Sequence, residues 1–331
     1  MAENFRAWVI ERGEAGQTCT LKGDLTDADL PEGDVLVDVQ ASTINYKDAL
    51  AVTGKGKIIR GFPGVPGIDF AGTVVESASD RFEPGDQVVL NGFGVGESHW
   101  GGLAERARVP ADWLITLPEA FTPMEAMAIG TAGYTAGLCV DELERAGVAQ
   151  GAEVVVTGAA GGVGSVAITL LRGAGFRPVA VTGRESLADY LRELGAVEVL
   201  PRTSFTEPAK GPLASARWPG AVDTVGGEVL ANLLKTMAYE GTVAACGLAG
   251  GIEVPTTVMP FILRGVRLVG VESVYQPLHR REAVWQRLAQ LLASERLAEI
   301  SRIVTMREVP ELAEELLAGH VRGRTVVDVK A

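Results

Sequence analysis

The stretch Val154-Val155-Val156-Thr157-Gly158-Ala159-Ala160-Gly161-Gly162-Val163-Gly164 constrains this chain more than any other. Three consecutive valines suit a fully buried parallel strand, and Val163, Val166, Ala167, Leu170 and Leu171 then recur at helical spacing. A strand that becomes a helix through glycines brings free backbone N–H groups and the positive end of a helix dipole to one point, where a pyrophosphate fits. Ala159 takes the place of the first glycine in the usual G-x-G-x-x-G, leaving Ala159-x-Gly161-x-x-Gly164, so the pattern depends on its surroundings. The alternative is a tight strand-to-helix turn without a ligand.

Twenty residues beyond Gly164, a second β-rich run, Val179-Ala180-Val181-Thr182, ends in Gly183-Arg184. An NAD site normally carries an acid here for the ribose 2′-hydroxyl. A guanidinium instead favours a 2′-phosphate through charge-assisted contacts, which predicts NADPH as cofactor. Glu185 would invert that preference if it, rather than Arg184, pointed at the ribose.

The chain has 331 residues, 47% of them apolar and 22% charged, enough for two domains with real cores. The uncharged run 154–171 is broken by its glycines and reads as strand, turn and helix rather than a membrane span. The first residues lack the apolar core of a secretory signal. A net charge of −12 argues against nucleic acid or an anionic membrane as partner. Cys19, Cys139 and Cys246 are odd in number and far apart, as expected of reduced thiols in a cytoplasm.

Residues 1–122 are dominated by β signals: Asp34–Val39, Gly72–Glu76, Gln87–Leu90 and Trp113–Leu117, with glycine-rich loops at 53–67 and 91–102. These predict a small barrel. Thr122-Pro123-Met124-Glu125 carries a helix N-cap, a proline at the first helical position and a capping box. From there to about residue 274 strands and helices alternate, predicting a parallel sheet of about six strands, as in an α/β fold. The tail, 275–331, adds amphipathic helices at 281–292 and 311–317 and a strand at 324–329.

Several strings together resemble the medium-chain dehydrogenase/reductase superfamily. They are Asn45-Tyr46-Lys47-Asp48, Thr53-Gly54-Lys55-Gly56-Lys57, Pro66-Gly67-Ile68-Asp69-Phe70-Ala71-Gly72, His99-Trp100-Gly101-Gly102 and Pro255-Thr256-Thr257-Val258-Met259-Pro260. Within that superfamily they are similar to the acryloyl-CoA reductases of the YhdH/AcuI type. The resemblance implies a GroES-like β-barrel catalytic domain (1–122 and 275–331) and a Rossmann domain with a doubly wound parallel sheet (123–274). It also implies NADPH and a homodimer joined through the last sheet strand, around 266–271. The superfamily's zinc alcohol dehydrogenases carry a cysteine where Asn45 stands and a histidine where Ile68 stands. Both ligands are missing, and His99, His279 and His320 have no ligand spacing, so no metal is expected.

Without a Lewis acid, reduction of an activated C=C bond is the natural chemistry: hydride to the β-carbon of a short enoyl-CoA and a proton to the α-carbon. Donors near the thioester oxygen then matter most. By resemblance Tyr46 lies beside the nicotinamide, either donating a proton or packing under the cofactor. Asn45, Asp48 and Asp69 either orient Tyr46 and Lys47 or cap backbone N–H groups. Arg324 reaches the nicotinamide end by resemblance, or is a charge at the start of a strand. Thr131 is expected to help hold the nicotinamide from the helix start. Ala160, Gly161, Gly162 and Val163 are expected at the pyrophosphate, and Thr182, Gly183, Arg184 and Arg202 at the ribose phosphate. Leu248, Ile262 and Ser273 are expected at the carboxamide. Lys55, Lys57 and Arg60 are either a dock for the CoA phosphates or solvated loop charges. An NADPH:quinone oxidoreductase and a non-enzymatic NADPH-binding protein are the alternative functions.

Overall fold

The computed structural model describes residues 4–14, 16–207 and 211–331. In chain order its strands are Phe5–Gly13 (β1), Gly16–Leu25 (β2), Val35–Thr43 (β3), Asp69–Ser77 (β4), Gln87–Asn91 (β5), Arg106–Val109 (β6), Ile115–Thr116 (β7), Glu153–Val156 (β8), Arg177–Thr182 (β9), Glu198–Pro201 (β10), Trp218–Asp223 (β11), Met237–Ala245 (β12), Arg267–Gly270 (β13), Ser301–Thr305 (β14) and Arg324–Asp328 (β15). The helices are Tyr46–Val52 (α1), Pro123–Arg145 (α2), Gly162–Gly173 (α3), Ala188–Glu193 (α4), Thr203–Thr206 (α5), Gly227–Thr236 (α6), Met259–Arg264 (α7), Leu278–Leu291 (α8), Ser294–Ile300 (α9) and Val309–Leu317 (α10).

The chain forms two compact units. One takes the described residues up to Thr131 with Val274–Ala289 and Leu297–Ala331; the other takes Ala132–Ser273 and Gln290–Arg296. The boundary thus falls later than the capping box at Thr122 implies. That box is present: Thr122 N and Oγ1 each donate to Glu125 Oε2 at 2.8 Å. However, α2 breaks at Gly130, whose φ of 52° and ψ of −163° are non-helical. The first segment of α2 ends on unit 1, where Ala128 O and Thr131 both bond to its residues. The tail also divides, because Arg296 Nη1 donates to Glu193 O at 3.0 Å in the second unit.

In unit 1 the main sheet runs β14-β15-β3-β4-β5-β7, with β6 also pairing β3. Only β14 and β15 are parallel within it. Its strands enclose one core in which Val327 and Met306 from the tail pack with Trp8, Val37, Phe70 and Leu90. The hairpin β1–β2 was not expected from the sequence, because β2 has no fully buried residue and so lacks an apolar run. Trp113–Leu117 is mostly not a strand: a 3₁₀ turn at Ala111–Trp113 precedes the short β7.

Unit 2 is a parallel sheet in the order β10-β9-β8-β11-β12-β13. From β8 the chain winds outward to β10, then returns to β11 and winds the other way. The carboxyl ends of β8 and β11 therefore flank the topological switch point, where ligands bind in such sheets. Among the described residues no helix is long and apolar enough to cross a membrane.

Candidate functional site

Unit 1 holds a buried polar node built from separate segments of chain. Asn45 precedes α1, and Asp48 in the first turn reaches back: Asn45 N donates to Asp48 Oδ2 at 2.8 Å and Asn45 Nδ2 to the same oxygen at 3.1 Å. The other oxygen, Asp48 Oδ1, accepts from Gly67 N at 3.1 Å and Ile68 N at 2.9 Å. Asp48 therefore caps backbone N–H groups, and it pins α1 to the loop that enters β4. Burial pushes its carboxyl up to about 6, with the charge of Asp69 adding to the effect and the Asn45 and Ile68 N–H groups opposing it.

Asp69, at the start of β4, is surrounded by donors. Its Oδ1 accepts from Asn91 Nδ2 at 2.6 Å and from the Thr131 hydroxyl. Its Oδ2 accepts from Asn45 Nδ2 at 2.8 Å and Thr131 N at 3.0 Å. Thr131 can make both bonds because the chain turns at Gly130 and exposes the first N–H groups of the resumed helix.

Arg324 is 4% exposed, which rules out a surface charge at the head of β15. Its guanidinium donates to Ala128 O at 3.2 Å, Asn45 Oδ1 at 3.0 Å and Thr43 Oγ1 at 2.8 Å. These three contacts are to protein oxygens, whereas the resemblance implied a reach toward the nicotinamide. Burial pulls its basicity down, while the charges of Asp69 and Asp48 push it back up. A Cβ on Gly130 would lie 2.6 Å from Arg324 Nη2 and 2.9 Å from Asp69 Oδ2, so only glycine fits between them.

Tyr46 opens α1 and is 54% exposed. The node does not bond its hydroxyl, contrary to the orienting role considered above. Nor does it hold Lys47, whose ammonium pairs with Glu97 at 2.7 Å. In the basic loop, Lys55 pairs with Glu314 and Arg60 with Glu97, while Lys57 is exposed and has no ion pair among the described residues.

In unit 2 the glycine turn has the expected form. Helix α3 starts after Gly161 with no side-chain cap, leaving its first N–H groups for a ligand. Gly158 has a φ of 60°, and a Cβ there would meet Thr224 Oγ1 at 2.2 Å. A Cβ on Gly164 would lie 2.4 Å from Gly158 O, which explains why these positions are glycine. At the end of β9, the Arg202 guanidinium lies over Gly183, its Cζ 3.0 Å from where a Cβ would be. Arg184 Nη2 donates to Ala160 O at 3.0 Å, so Ala160, Gly183, Arg184 and Arg202 form one cluster. Two guanidiniums beside a helix N-terminus fit the 2′-phosphate and pyrophosphate of a dinucleotide. Leu248 and Ile262 are well exposed, and Ser273 is half-buried.

The sequence reading missed Thr157 and Asp223. Thr157 Oγ1 donates to Asp223 Oδ1 at 2.6 Å, and Gly226 N to Asp223 Oδ2 at 2.8 Å, tying β8 to β11 beside the turn. An aspartate ending a parallel strand just before Gly226-Gly227 was the available signal. Burial raises its carboxyl, opposed by those same hydrogen bonds. Asn91 and Gly130 were also missed, and no local pattern marks them.

The donor set of the unit 1 node does not fit zinc. Asn45 presents an amide already bonded to a guanidinium, Ile68 presents no donor, and among the described residues no group of three or more His, Cys, Asp or Glu side chains could hold a metal ion.

Residues 31–119 match the alcohol dehydrogenase GroES-like domain, and residues 162–294 the zinc-binding dehydrogenase domain. The chain belongs to the medium-chain dehydrogenase/reductase superfamily, with a GroES-like domain and a Rossmann-like parallel sheet. Within it, full-length likeness runs to proteins of the AcuI/YhdH type. The chain is 55% identical over 326 residues to the probable acrylyl-CoA reductase AcuI of Escherichia coli strain K12, covering 98% of this chain and 100% of that one. It is 49% identical over 329 residues to the acrylyl-CoA reductase AcuI of Ruegeria pomeroyi, covering 99% and 100%. The yhdH oxidoreductase of Salmonella enterica, solved in complex with NADP, matches it with a TM-score of 0.95 at 52% identity, covering 98% of this chain and 99% of that one.

Proposed function

We propose that this chain is an NADPH-dependent, zinc-independent reductase of the C=C bond of short 2-enoyl-CoA thioesters, acting on acryloyl-CoA to form propanoyl-CoA. The observation that carries this reading is the full-length likeness to acrylyl-CoA reductases of two bacteria. NADPH supplies the hydride. The chain's own residues bind and orient: Arg184 and Arg202 hold the 2′-phosphate, and the N–H groups opening α3 hold the pyrophosphate.

Charge builds on the thioester oxygen as the β-carbon is reduced, so a hydrogen-bond donor aimed there lowers the barrier. Tyr46, exposed at the head of α1, is the residue assigned to that oxygen. Asn45, Asp48, Asp69 and Arg324 act as positioning residues that hold α1 and Thr131 in place. The network of amides, carboxylates and a guanidinium supports zinc independence, since it uses the Asn45 position for internal bonds.

A homodimer joined through β13 belongs to the same reading, supported by its place at the end of the sheet and by the exposed Leu268 on it and Tyr239 on the adjacent β12. Three free cysteines suit a reducing cytoplasm. The test is NADPH oxidation with acryloyl-CoA and, in parallel, with benzoquinone. A kcat/KM of about 10⁴ M⁻¹s⁻¹ or more for acryloyl-CoA, with benzoquinone far below, supports the reading; benzoquinone turnover alone overturns it in favour of a quinone oxidoreductase.

A further inference from the structure

We infer that Asn91 and Trp285 are positioning residues that act through Asp69 on Thr131, an inference that rests on the reductase reading above. Asn91 ends β5 and is 1% exposed. Its amide is held at both ends: Nδ2 donates to Asp69 Oδ1 at 2.6 Å, and Oδ1 accepts the indole N–H of Trp285 at 3.2 Å. Its backbone is held as well, since Arg281 Nη1 donates to Asn91 O at 2.6 Å. The same guanidinium donates to Val274 O at 3.1 Å and stacks 4.6 Å over the Phe93 ring.

A carboxylate turns easily about its last torsion, so the plane of Asp69 is set by its donors. Two lie on each oxygen: Asn91 and the Thr131 hydroxyl on Oδ1, Asn45 and the Thr131 N–H on Oδ2. Without Asn91 the first oxygen keeps only the hydroxyl whose direction it is meant to fix. Without the Trp285 N–H the buried Asn91 Oδ1 loses its donor, and only the bond to Asp69 is left to hold the plane of the amide. One indole N–H on α8 thus braces, through the Asn91 amide, a carboxylate on β4 and with it the Thr131 side chain.

Asn91→Asp tests this with little change in shape. It keeps an acceptor for Trp285 and replaces the donor to Asp69 with a second carboxylate. At about pH 8 its kcat should fall about tenfold or more with the KM for NADPH within about twofold of wild type. Activity should return as the pH is lowered toward about 6, because two adjacent carboxylates share a proton and the shared proton restores the missing bond. Asp48 and Arg324 on the node, and Arg281 on the Asn91 carbonyl, are the other charged groups that face this pair, so the profile is read as a ratio to wild type. Trp285→Phe removes the N–H and keeps an aromatic ring; its kcat should fall about threefold or more at an unfolding temperature within a few degrees of wild type.

A flat ratio across pH, or activity of Asn91→Asp within about twofold of wild type at pH 8, overturns the inference; Trp285→Phe decides it if Asn91→Asp does not fold. A wild type inert to acryloyl-CoA overturns the reductase reading instead. The same variants assayed with benzoquinone then decide the positioning question, and a wild type inert to both acceptors overturns both.

Discussion

The guanidinium of Arg324 and the side-chain amide of Asn45, 279 residues apart in sequence, meet in a 3.0 Å hydrogen bond. The contact joins the last strand to the turn that begins α1, beside two buried carboxylates, Asp48 and Asp69.

Arg324→Met removes the buried cation that faces those carboxylates. Loss of one partner from a buried charged network costs about 3–5 kcal/mol, so the midpoint of denaturant unfolding should drop sharply. Arg324→Lys keeps the charge and loses the forked geometry, and should fall between the two.

Gly130→Ala places a methyl group 2.6 Å from Arg324 Nη2 at a residue whose φ is 52°. Strain of about 1–3 kcal/mol is expected, seen as a lower unfolding temperature. Activity should fall with it, because the methyl group pushes against the groups that hold Thr131.

Arg184→Ser and Arg202→Ser should each raise the KM for NADPH about tenfold or more, since a charge-assisted bond is worth about 1.5–3 kcal/mol. The KM for NADH should change little. Equal effects on both cofactors would mean that these side chains hold the turn through Ala160 rather than the 2′-phosphate.

Asp48 titrates at about 6 in the folded chain and at 3.8 in the reference state. The folded chain therefore holds more proton between those values, and this group's contribution to stability falls as pH rises through that window and is flat above it. Asn cannot titrate, so the stability of wild type relative to Asp48→Asn should fall by about 2 kcal/mol between pH 4 and 6, measured by urea unfolding at each pH. The kcat profile should show an acid limb near pH 6, as protonation weakens the tie between α1 and the loop at Gly67.

Lys57 is the cation of the basic loop without an ion pair among the described residues, while Glu314 engages Lys55 and Glu97 engages Arg60. If the loop docks the CoA phosphates, Lys57→Ser should raise the KM for acryloyl-CoA about threefold or more and spare that for NADPH. Unchanged acyl-CoA kinetics would make the loop a solvated surface.

What the sequence alone determined was local. The run of valines, the glycines after it and Thr182-Gly183-Arg184 are contiguous, so strand period, turn conformation and charge could be read from neighbouring residues, and with them the parallel sheet and the placing of Arg184 beside the glycine turn. The strings that carried the family resemblance brought Asn45, Asp48, Asp69 and Arg324 into view, but not their partners. Tertiary structure alone decided that Asn45, Asp69, Asn91, Thr131 and Arg324 form one network, that Gly130 moves the unit boundary past the capping box, and that Lys47 belongs to Glu97. A hydrogen bond between residues on separate segments leaves no periodic trace in sequence. It becomes obligatory only when folding removes water from both groups and leaves each the other as its partner.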